Sequence, residues 1–305
     1  MRESHVSAPL AGVDIGGTKI AALLVTDTGR ILARATVPSP AQEGGPAVAD
    51  AAAGLVRSLA DRLGTTVRAV GVGASGVIDA QGTVFAASDT FRDWVGFPLA
   101  DELTARLEAP TVVVNDVKAF LLGEAAWGAA QGDDVLGVML GTGVGGALLL
   151  DGVLRHGPHS GAGEIGHTPG YGDLVCTCGR VGHLETVAAG RSIARAYGDS
   201  ALTARDVADL ARAGDPAARA VYYAAGRALA TACVSASALL DIPTVVVGGG
   251  VTQAWDLLRP AIDDILRTDP LVSGIPLTII RGTLGGDAVA LGAAASTDQV
   301  SLTAG

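Results

Sequence analysis

Two stretches of this 305-residue chain share one pattern of strand, glycine turn and strand. Residues 10–26 read LAGVDIGGTKIAALLVT, and residues 135–150 read VLGVMLGTGVGGALLL. In each, an apolar run ends in a glycine-rich turn, a second apolar run follows, and a third lies at Ile31–Val37 or Val153–Arg155. The repetition predicts two similar α/β lobes with a cleft between them.

The spacing of apolar residues predicts further elements around these two units. Helices are expected over Ala47–Leu63, Ala119–Gly128, Thr186–Tyr197, Ala204–Ala213, Ala217–Leu240 and Asp287–Ser296. Buried strands are expected over Val67–Ala74, Thr111–Asn115 and Thr244–Val247. We expect a small N-terminal lobe over 1–118, joined by a C-terminal helix over 287–305, and a large lobe over 119–286.

Composition argues against several classes of protein. The chain has 21 basic and 31 acidic residues, a net charge of −10 and only 4% aromatic residues, which disfavours a nucleic-acid-binding surface. No apolar run reaches the roughly 18 residues that span a membrane, and the first residues do not resemble a secretory signal. Three cysteines do not form a disulfide framework, so we expect a cytoplasmic protein with no membrane partner.

The first glycine turn has the chemistry of a phosphate cradle. Gly16 and Gly17 leave backbone N–H groups accessible, Thr18 can add a hydroxyl donor, Lys19 a positive charge, and Asp14 a ligand for hydrated Mg²⁺. A plain hairpin turn is the alternative interpretation of this single motif.

Two more glycine turns, Gly141–Gly146 and Gly248–Gly250, also follow predicted strands and favour the phosphate interpretation. Their order and spacing match neither the Walker pattern nor the dinucleotide-binding fingerprint. The chain therefore offers phosphate sites of another kind.

A short segment, residues 156–185, contains four of the five histidines and two of the three cysteines. Two carboxylates, Glu164 and Glu185, are interleaved with these metal-type ligands. This pattern indicates a metal-binding segment that holds acidic side chains beside a substrate. Free thiols and surface histidines are the alternative.

Together these motifs resemble the ROK family of repressors and sugar kinases. The resemblance rests on Asp14–Lys19, Leu140–Gly146, the Gly-Glu-Ile-Gly-His element at 163–167 and the Cys-x-Cys-Gly-x-x-Gly-x-x-Glu element at 176–185. It implies an α/β chain with the actin-like ATPase (ribonuclease H-like) fold, two lobes with an interlobe cleft, and ATP and Mg²⁺ as cofactors. We expect a kinase rather than a repressor, because only nine residues precede Leu10 and the chain is acidic.

The resemblance also implies roles for particular residues. Those expected to bind the nucleotide and its Mg²⁺ are Asp14, Gly16, Gly17, Thr18, Lys19, Gly141, Thr142, Gly143, Gly145, Gly248, Gly249 and Gly250. Those expected to bind a structural zinc ion are His167, Cys176, Cys178 and His183, the last in place of a usual cysteine. Those expected to bind the sugar are Gly76, Asn115, Asp116, Glu164, His167 and Glu185.

Asp116 is the predicted catalytic base, because a sugar hydroxyl is a poor nucleophile until it loses its proton. The alternative is that Asp116 only caps the following helix. Lys118 stands where similar proteins have asparagine, and it would either reach a phosphate or be a solvated helix residue. An asparagine is also missing before Trp94, within Asp89–Trp94.

The expected reaction is transfer of the γ-phosphoryl group of ATP to the 6-hydroxyl of a hexose, and glucose is the hexose that we expect. An N-acylhexosamine such as N-acetylmannosamine is the alternative substrate, and a non-catalytic sugar-sensing regulator is the alternative class. Polyphosphate as the donor also stays open. We expect a homodimer or a higher homo-oligomer.

Overall fold

The computed structural model of the chain describes residues 7–87, 90–199 and 201–303. Within these residues, contacts divide the chain into two compact units. The first unit comprises Met1–Gly128, Pro158–Gly161 and Gly286–Gly305, and the second comprises Ala129–Gly157 and Ala162–Gly285. Asp89, from the Asp89–Trp94 stretch, and residues 304–305, from the expected C-terminal helix, lie outside the described residues.

Strands and helices are numbered here in chain order. The strands are β1 Leu10–Ile15, β2 Lys19–Val25, β3 Ile31–Pro38, β4 Ala69–Ala74, β5 Val77–Ile78, β6 Val84–Ala86, β7 Thr111–Asn115, β8 Val135–Leu140, β9 Val144–Leu150, β10 Val153–Arg155, β11 Thr244–Gly248 and β12 Thr278–Arg281. The helices are α1 Gly45–Leu63, α2 Leu99–Leu107, α3 Asp116–Trp127, α4 Glu185–Ala188, α5 Gly190–Tyr197, α6 Ala204–Ala213, α7 Pro216–Leu240, α8 Trp255–Thr268 and α9 Ala288–Thr303.

The sheet of the first unit has the order β3-β2-β1-β4-β7. Strands β1, β2 and β3 form the expected antiparallel meander, whereas β4 and β7 run parallel to β1. The register aligns Ile15 with Ala74 and Ala74 with Asn115, so the carboxyl ends of the three parallel strands lie at one edge. Loops that follow these strands are therefore brought together there.

The second unit repeats this topology with the order β10-β9-β8-β11-β12. Strand β9 is antiparallel to β8 and β10, and β11 is parallel to β8 and β12. The pairing of Met139 with Gly248 places the turns after β8 and β11 beside each other. The strand–turn–strand repeat seen in the sequence is confirmed in both units.

Helix α9 packs against β1, β4 and α3 through glycines that leave no space for a side chain. A Cβ on Gly292 would lie 1.6 Å from the Ala119 carbonyl oxygen, and one on Gly71 would lie 1.6 Å from the Ala293 carbonyl oxygen. This close packing groups all of α3 with the first unit. The expected division after residue 118 instead falls inside that helix.

We predict that Gly292→Ala lowers the free energy of unfolding by about 3 kcal/mol or more, because the contacted atoms are backbone and cannot rotate away. Gly54→Ala is a matched control, since a Cβ at this exposed position of α1 has nothing within 4 Å. The control should gain about 0.5–1 kcal/mol from its higher helix propensity. Urea denaturation of both variants checks the prediction, and equal stability of the two would contradict it.

The expected helix over Thr186–Tyr197 is wrong in one respect, because the structure breaks it into α4 and α5. Ala189 between them is extended, with ψ 152°. The amide of Gly190 donates to the Gly141 carbonyl oxygen at 2.8 Å instead of continuing a helix. The break brings the beginning of α5 against the second glycine turn.

Helix α7 is the one described helix that is long and apolar enough to cross a membrane by length and composition alone. A core helix passes the same test, and Tyr222, Leu229 and Cys233 of α7 are buried in the core of the second unit. Burying side chains of this size contributes about 1.5–3 kcal/mol each to folding. These three side chains of α7 are therefore core residues of the second unit.

Candidate active site and metal centre

Polar residues collect at the carboxyl ends of the parallel strands in the first unit. Asp14 is the penultimate residue of β1, Gly76 follows β4, and Asn115 ends β7 directly before Asp116. The Asn115 side-chain amide donates to the Gly76 carbonyl oxygen at 3.0 Å and to Asp116 Oδ1 at 2.9 Å. Gly76 has a φ of 111°, a conformation that favours glycine. The predicted sugar-binding residues of this unit therefore form one hydrogen-bonded group.

The cap of α3 is Asn115 rather than Asp116. Asn115 Oδ1 accepts hydrogen bonds from the backbone N–H of Val117 at 3.0 Å and of Lys118 at 3.3 Å, which satisfies two of the free donors of the first turn. Asp116 Oδ1 accepts from the Val117 N–H at 2.9 Å. Since Asn115 is the capping residue, helix capping does not account for the aspartate at position 116.

Burial and, to a smaller extent, the negative charge of Asp116 together raise the pKa of Asp14 to about 6, against the opposing effect of Lys19. Two carboxylates that repel each other in a partly buried place fit a site for a divalent cation, because a cation between them would relieve the repulsion. The electrostatics of this edge thus fit the predicted Mg²⁺ role of Asp14.

Replacing Asp14 with asparagine should have two effects: it should stabilise the fold, and it should abolish the expected transfer of phosphate from ATP to a sugar. The raised pKa means that the folded state favours protonated Asp14, so the ionised form costs stability above about pH 6 and the cost disappears as pH falls towards 3.8. Asp14→Asn should therefore gain about 1–3 kcal/mol at pH 8 and much less at pH 4.5. Thermal unfolding at both pH values, with turnover at pH 8, measures this; a variant that is active or not stabilised at pH 8 would contradict it.

The first glycine turn is tight and its polar side chains face solvent. The Gly16 amide donates to the Lys19 carbonyl oxygen at 3.0 Å, and both Thr18 and Lys19 are exposed. A Cβ on Gly17 would lie 2.3 Å from Thr90 Cγ2, so a side chain at this position would collide with its neighbour. The hydroxyl and the ammonium group are thus accessible to a ligand at this turn.

Lys118 is buried, so its interpretation as a solvated helix residue is wrong. Its exposed fraction is 5%, and its Nζ donates to the Ser160 carbonyl oxygen at 3.1 Å. Ser160 belongs to the short Pro158–Gly161 segment that groups with the first unit. Lys118 therefore anchors this segment beside the beginning of α3.

The second unit brings its two glycine turns together around a cavity of about 1140 Å³. Gly141 and Thr142 line it with Gly250, and a Cβ on Gly249 would lie 2.4 Å from the Leu140 carbonyl oxygen. Gly249 has a φ of 88°, which also favours glycine. Gly145 lies in β9 opposite Met139, and Gly248 ends β11. The cavity is large enough for a nucleotide.

His167, Cys176, Cys178 and His183 form the one metal-type cluster found among the described residues. Their ligand atoms all lie within 4.8 Å of one another. Cys176 Sγ is 3.7 Å from His167 Nδ1, and Cys178 Sγ is 3.2 Å from His183 Nδ1. Zinc bonds of about 2.0–2.3 Å in a tetrahedron require ligand separations of this size. The four side chains therefore fit a tetrahedral zinc site.

The loop that carries the cysteines is a tight hairpin. Cys176 donates its amide to the Arg180 carbonyl oxygen at 2.7 Å, and Val175 pairs with Val181 in an antiparallel bridge. Gly182 has a φ of 73°, and a Cβ there would lie 2.3 Å from the Gly172 carbonyl oxygen. The glycine therefore allows the hairpin to close against the preceding loop and holds the ligands in register.

His167 faces the metal cluster with one ring nitrogen and Glu164 with the other. Its Nδ1 points towards Cys176, whereas its Nε2 lies 4.0 Å from Glu164 Oε2. Glu164 is half exposed, with a side-chain exposed fraction of 50%. This arrangement fits a histidine that serves a metal and a polar ligand at once.

Glu185 is buried and holds the metal loop against the second glycine turn. Its Oε2 accepts from the Val144 N–H at 3.0 Å, and its Oε1 accepts from the Thr177 hydroxyl at 2.8 Å and from Arg191 Nη2. Burial alone would raise the pKa of Glu185, but these hydrogen bonds and the arginine charge hold it below its usual value. A carboxylate oxygen accepts about two hydrogen bonds, so Oε2 can still take a sugar hydroxyl.

Sequence reasoning missed the contribution of Thr177 and Arg191. Thr177 lies between the two predicted zinc cysteines, where a hydroxyl gives no signal of its own. Arg191 was placed in the middle of a predicted helix, and only the break at Ala189 brings it beside Glu185. The interruption Ala-Gly at 189–190 was the available signal.

Comparison with known proteins gives consistent matches over almost the whole chain. The ROK family matches residues 10–300. A glucokinase from Streptomyces coelicolor is 35% identical over 274 residues, which cover 82% of this chain and 84% of that protein. An N-acetylmannosamine kinase from Escherichia coli O127:H6 is 34% identical over 267 residues, covering 85% and 88%.

A solved structure shows the same fold. The ROK family glucokinase from Streptomyces griseus in complex with glucose and AMPPNP is 33% identical, has a TM-score of 0.82 and covers 96% of this chain and 100% of that one. The expected actin-like ATPase fold is thereby confirmed. Since the family match spans residues 10–300 and two relatives at 34 and 35% identity cover more than four fifths of the sequence, the chain belongs to the ROK family.

Proposed function

We propose that this ROK family sugar kinase transfers the γ-phosphoryl group of ATP to the 6-hydroxyl of a hexose, with glucose as its preferred substrate. The observation that carries the proposal is the position of Asp116. Its carboxylate opens α3 at the sheet edge where Asp14 also lies, and its charge is felt at Asp14. Asn115, rather than Asp116, caps the helix. A carboxylate at the beginning of a helix is held in place more precisely than one on a loop, which suits the role of a general base.

In the proposed reaction, Asp116 accepts the proton of the 6-hydroxyl as the oxygen attacks the γ-phosphorus. The bond between the γ-phosphorus and the bridging oxygen of the β-phosphate breaks at the same time, and ADP leaves. The transferred group gains charge on its oxygens in the transition state, so donors that already point at it lower the barrier. We assign this donor role to Thr18 and Lys19 in the first unit and to Thr142 in the second. Mg²⁺ held through Asp14 would neutralise charge on the phosphate oxygens.

Sugar recognition is assigned to hydrogen-bonding groups in each unit. Gly76, Asn115 and Asp116 are proposed for the first unit, and Glu164, His167 and Glu185 for the second. Carboxylates suit hydroxyl recognition because each can accept several hydrogen bonds. The half-exposed Glu164 and the remaining acceptor capacity of Glu185 Oε2, which accepts one hydrogen bond from the Val144 N–H, support this assignment.

The zinc ion is proposed to be structural. Four protein ligands complete a tetrahedron and leave no position for a substrate or for water. The ion would fix the hairpin that holds Thr177, and Thr177 in turn donates to Glu185. His167 and Glu185 would thus be positioned for the sugar by the metal segment.

An N-acylhexosamine kinase is the second candidate function. The observation that favours it is the N-acetylmannosamine kinase of Escherichia coli O127:H6, whose 34% identity is close to the 35% of the Streptomyces coelicolor glucokinase. The two substrates differ at carbon 2, where an acetamido group needs room that a hydroxyl does not. We favour glucose because the first matches include glucokinases from two genera.

A panel of sugars tests the assignment of the substrate. Purified protein with MgATP is given glucose, mannose, N-acetylglucosamine and N-acetylmannosamine, and ADP release is measured as kcat/KM. We expect glucose to exceed every N-acylhexosamine by at least about 100-fold, the discrimination available to a pocket built for a hydroxyl. A preference for N-acetylmannosamine would replace glucose with the second candidate.

Oligomeric state and location stay predictions. We propose a homodimer or a higher homo-oligomer, which light scattering of the purified protein would measure. We propose a cytoplasmic location, where ATP and sugars meet.

A further inference from the structure

Arg191 lies where the metal loop, the second glycine turn and the large cavity of the second unit meet. It is the second residue of α5, directly after Gly190, whose amide donates to the Gly141 carbonyl oxygen at 2.8 Å. That hydrogen bond fixes the beginning of α5 against the turn. The position of Arg191 is therefore determined by backbone structure and not by its own flexible side chain.

One terminal nitrogen of the guanidinium is held by two acceptors. Arg191 Nη2 donates to Thr177 Oγ1 at 3.1 Å and to Glu185 Oε1. The Glu185 side chain has an exposed fraction of only 8%, whereas that of Arg191 is 41%. The carboxylate therefore serves as a buried anchor for a side chain that is itself accessible.

Arg191 also borders the large cavity. Arg191 lines it together with Gly141 and Thr142, and its Nη2 lies 3.9 Å from the position that a Cβ on Gly143 would occupy. Within the described residues, Nε and Nη1 of Arg191 have no hydrogen bond. Three N–H donors of a planar, permanently charged group are thus available beside the glycine turn.

Charge explains what these donors are suited to bind. The phosphate chain of a nucleoside triphosphate carries several negative charges, but the turn itself offers only neutral backbone N–H groups and the Thr142 hydroxyl. An arginine that is anchored at one nitrogen keeps its orientation, and its remaining donors match two phosphate oxygens. Such pre-organisation reduces the entropy lost on binding.

We propose that Arg191 binds the phosphate chain of the donor nucleotide, with Glu185 and Thr177 as the groups that orient it. This inference rests on the proposed function, because it assumes that the cavity receives a nucleoside di- or triphosphate. It also gives Glu185 a second task besides the sugar. The metal loop, through Thr177, would then support nucleotide binding as well.

The test compares the affinities of ADP and adenosine by calorimetry, with glucose affinity measured in parallel. Arg191→Met should weaken ADP by about 10- to 100-fold, as expected for loss of a charge-assisted hydrogen bond to phosphate, and should leave adenosine within about two-fold of wild type. Arg191→Lys keeps the positive charge but not the planar guanidinium group. Its affinity for ADP should therefore lie between those of wild type and Arg191→Met. Arg205→Met is the matched control, because Arg205 lines the same cavity but, within the part of the chain that the structure describes, makes no hydrogen bond to Glu185 or to the turn.

Three results would overturn the inference. If Arg191→Met binds ADP as tightly as Arg205→Met does, Arg191 does not contact the phosphate chain. Equal losses for ADP and adenosine would indicate a general disturbance of the cavity. Weaker glucose binding with unchanged ADP binding would mean that Arg191 acts only through Glu185. A wild-type protein that binds no ADP at all would instead refute the proposed function, so the two failures are distinguishable.

Discussion

Asp116→Asn is expected to reduce kcat by about 100- to 10,000-fold while the dissociation constant for the sugar changes by less than about three-fold. The size of the loss is that of a general base removed from proton transfer. Sugar binding should persist because asparagine has nearly the same shape and its amide oxygen can still accept a hydrogen bond from a hydroxyl. Steady-state kinetics and calorimetric titration of the sugar measure the two quantities.

The neighbouring asparagine supplies the control for this experiment. Asn115→Asp keeps a capping side chain at the beginning of α3 but removes the amide that donates to Gly76 and Asp116. It should weaken sugar binding and retain a larger share of kcat than Asp116→Asn does. Wild-type turnover by Asp116→Asn would remove the assignment of the base.

Removal of the metal is expected to have the largest effect on stability. Purified protein should contain about one zinc ion per chain, and chelation should lower the free energy of unfolding by about 3 kcal/mol or more, since binding to the folded state contributes directly to stability. Cys178→Ser should lose the metal, because three remaining ligands do not complete the tetrahedron. Elemental analysis and thermal unfolding with and without chelator measure both effects.

His159→Ala is the matched control for the metal experiment, because His159 is exposed and lies outside the four-ligand cluster. His159→Ala should contain as much zinc as wild type and should lose as much stability as wild type when chelator is added. Protein that contains no zinc when freshly purified, or a Cys178→Ser variant that still responds to chelator, would contradict the metal assignment.

Much of the fold follows from local sequence patterns. The strands at Thr111–Asn115, Val135–Leu140 and Val153–Arg155 have the predicted bounds, because each is an apolar run that ends at a turn residue. Helices α2 and α8 and strands β5, β6 and β12 were not predicted. α2 is short and largely polar on its exposed face, and β12 has four residues, so neither of these two gives a long periodic signal. α8 contains Pro260, a residue that disfavours a helix when the sequence is interpreted alone.

The candidate site was less predictable than the fold, because its parts depend on tertiary contacts. The metal ligands could be recognised since histidine and cysteine are otherwise rare in the chain. The burial of Lys118 could not, because its acceptor is a carbonyl oxygen 42 residues away. The anchoring of Glu185 also required the structure, since its donors come from a strand, a hairpin and a helix.

The most direct test of the central claim is product formation by the purified protein with saturating glucose and MgATP. We predict that ADP and glucose 6-phosphate appear in equal amounts over many turnovers, and that both form at least about 100-fold more slowly with Asp116→Asn. Tight binding of glucose with no release of ADP and no phosphorylated sugar would contradict the claim and indicate a sugar-sensing regulator.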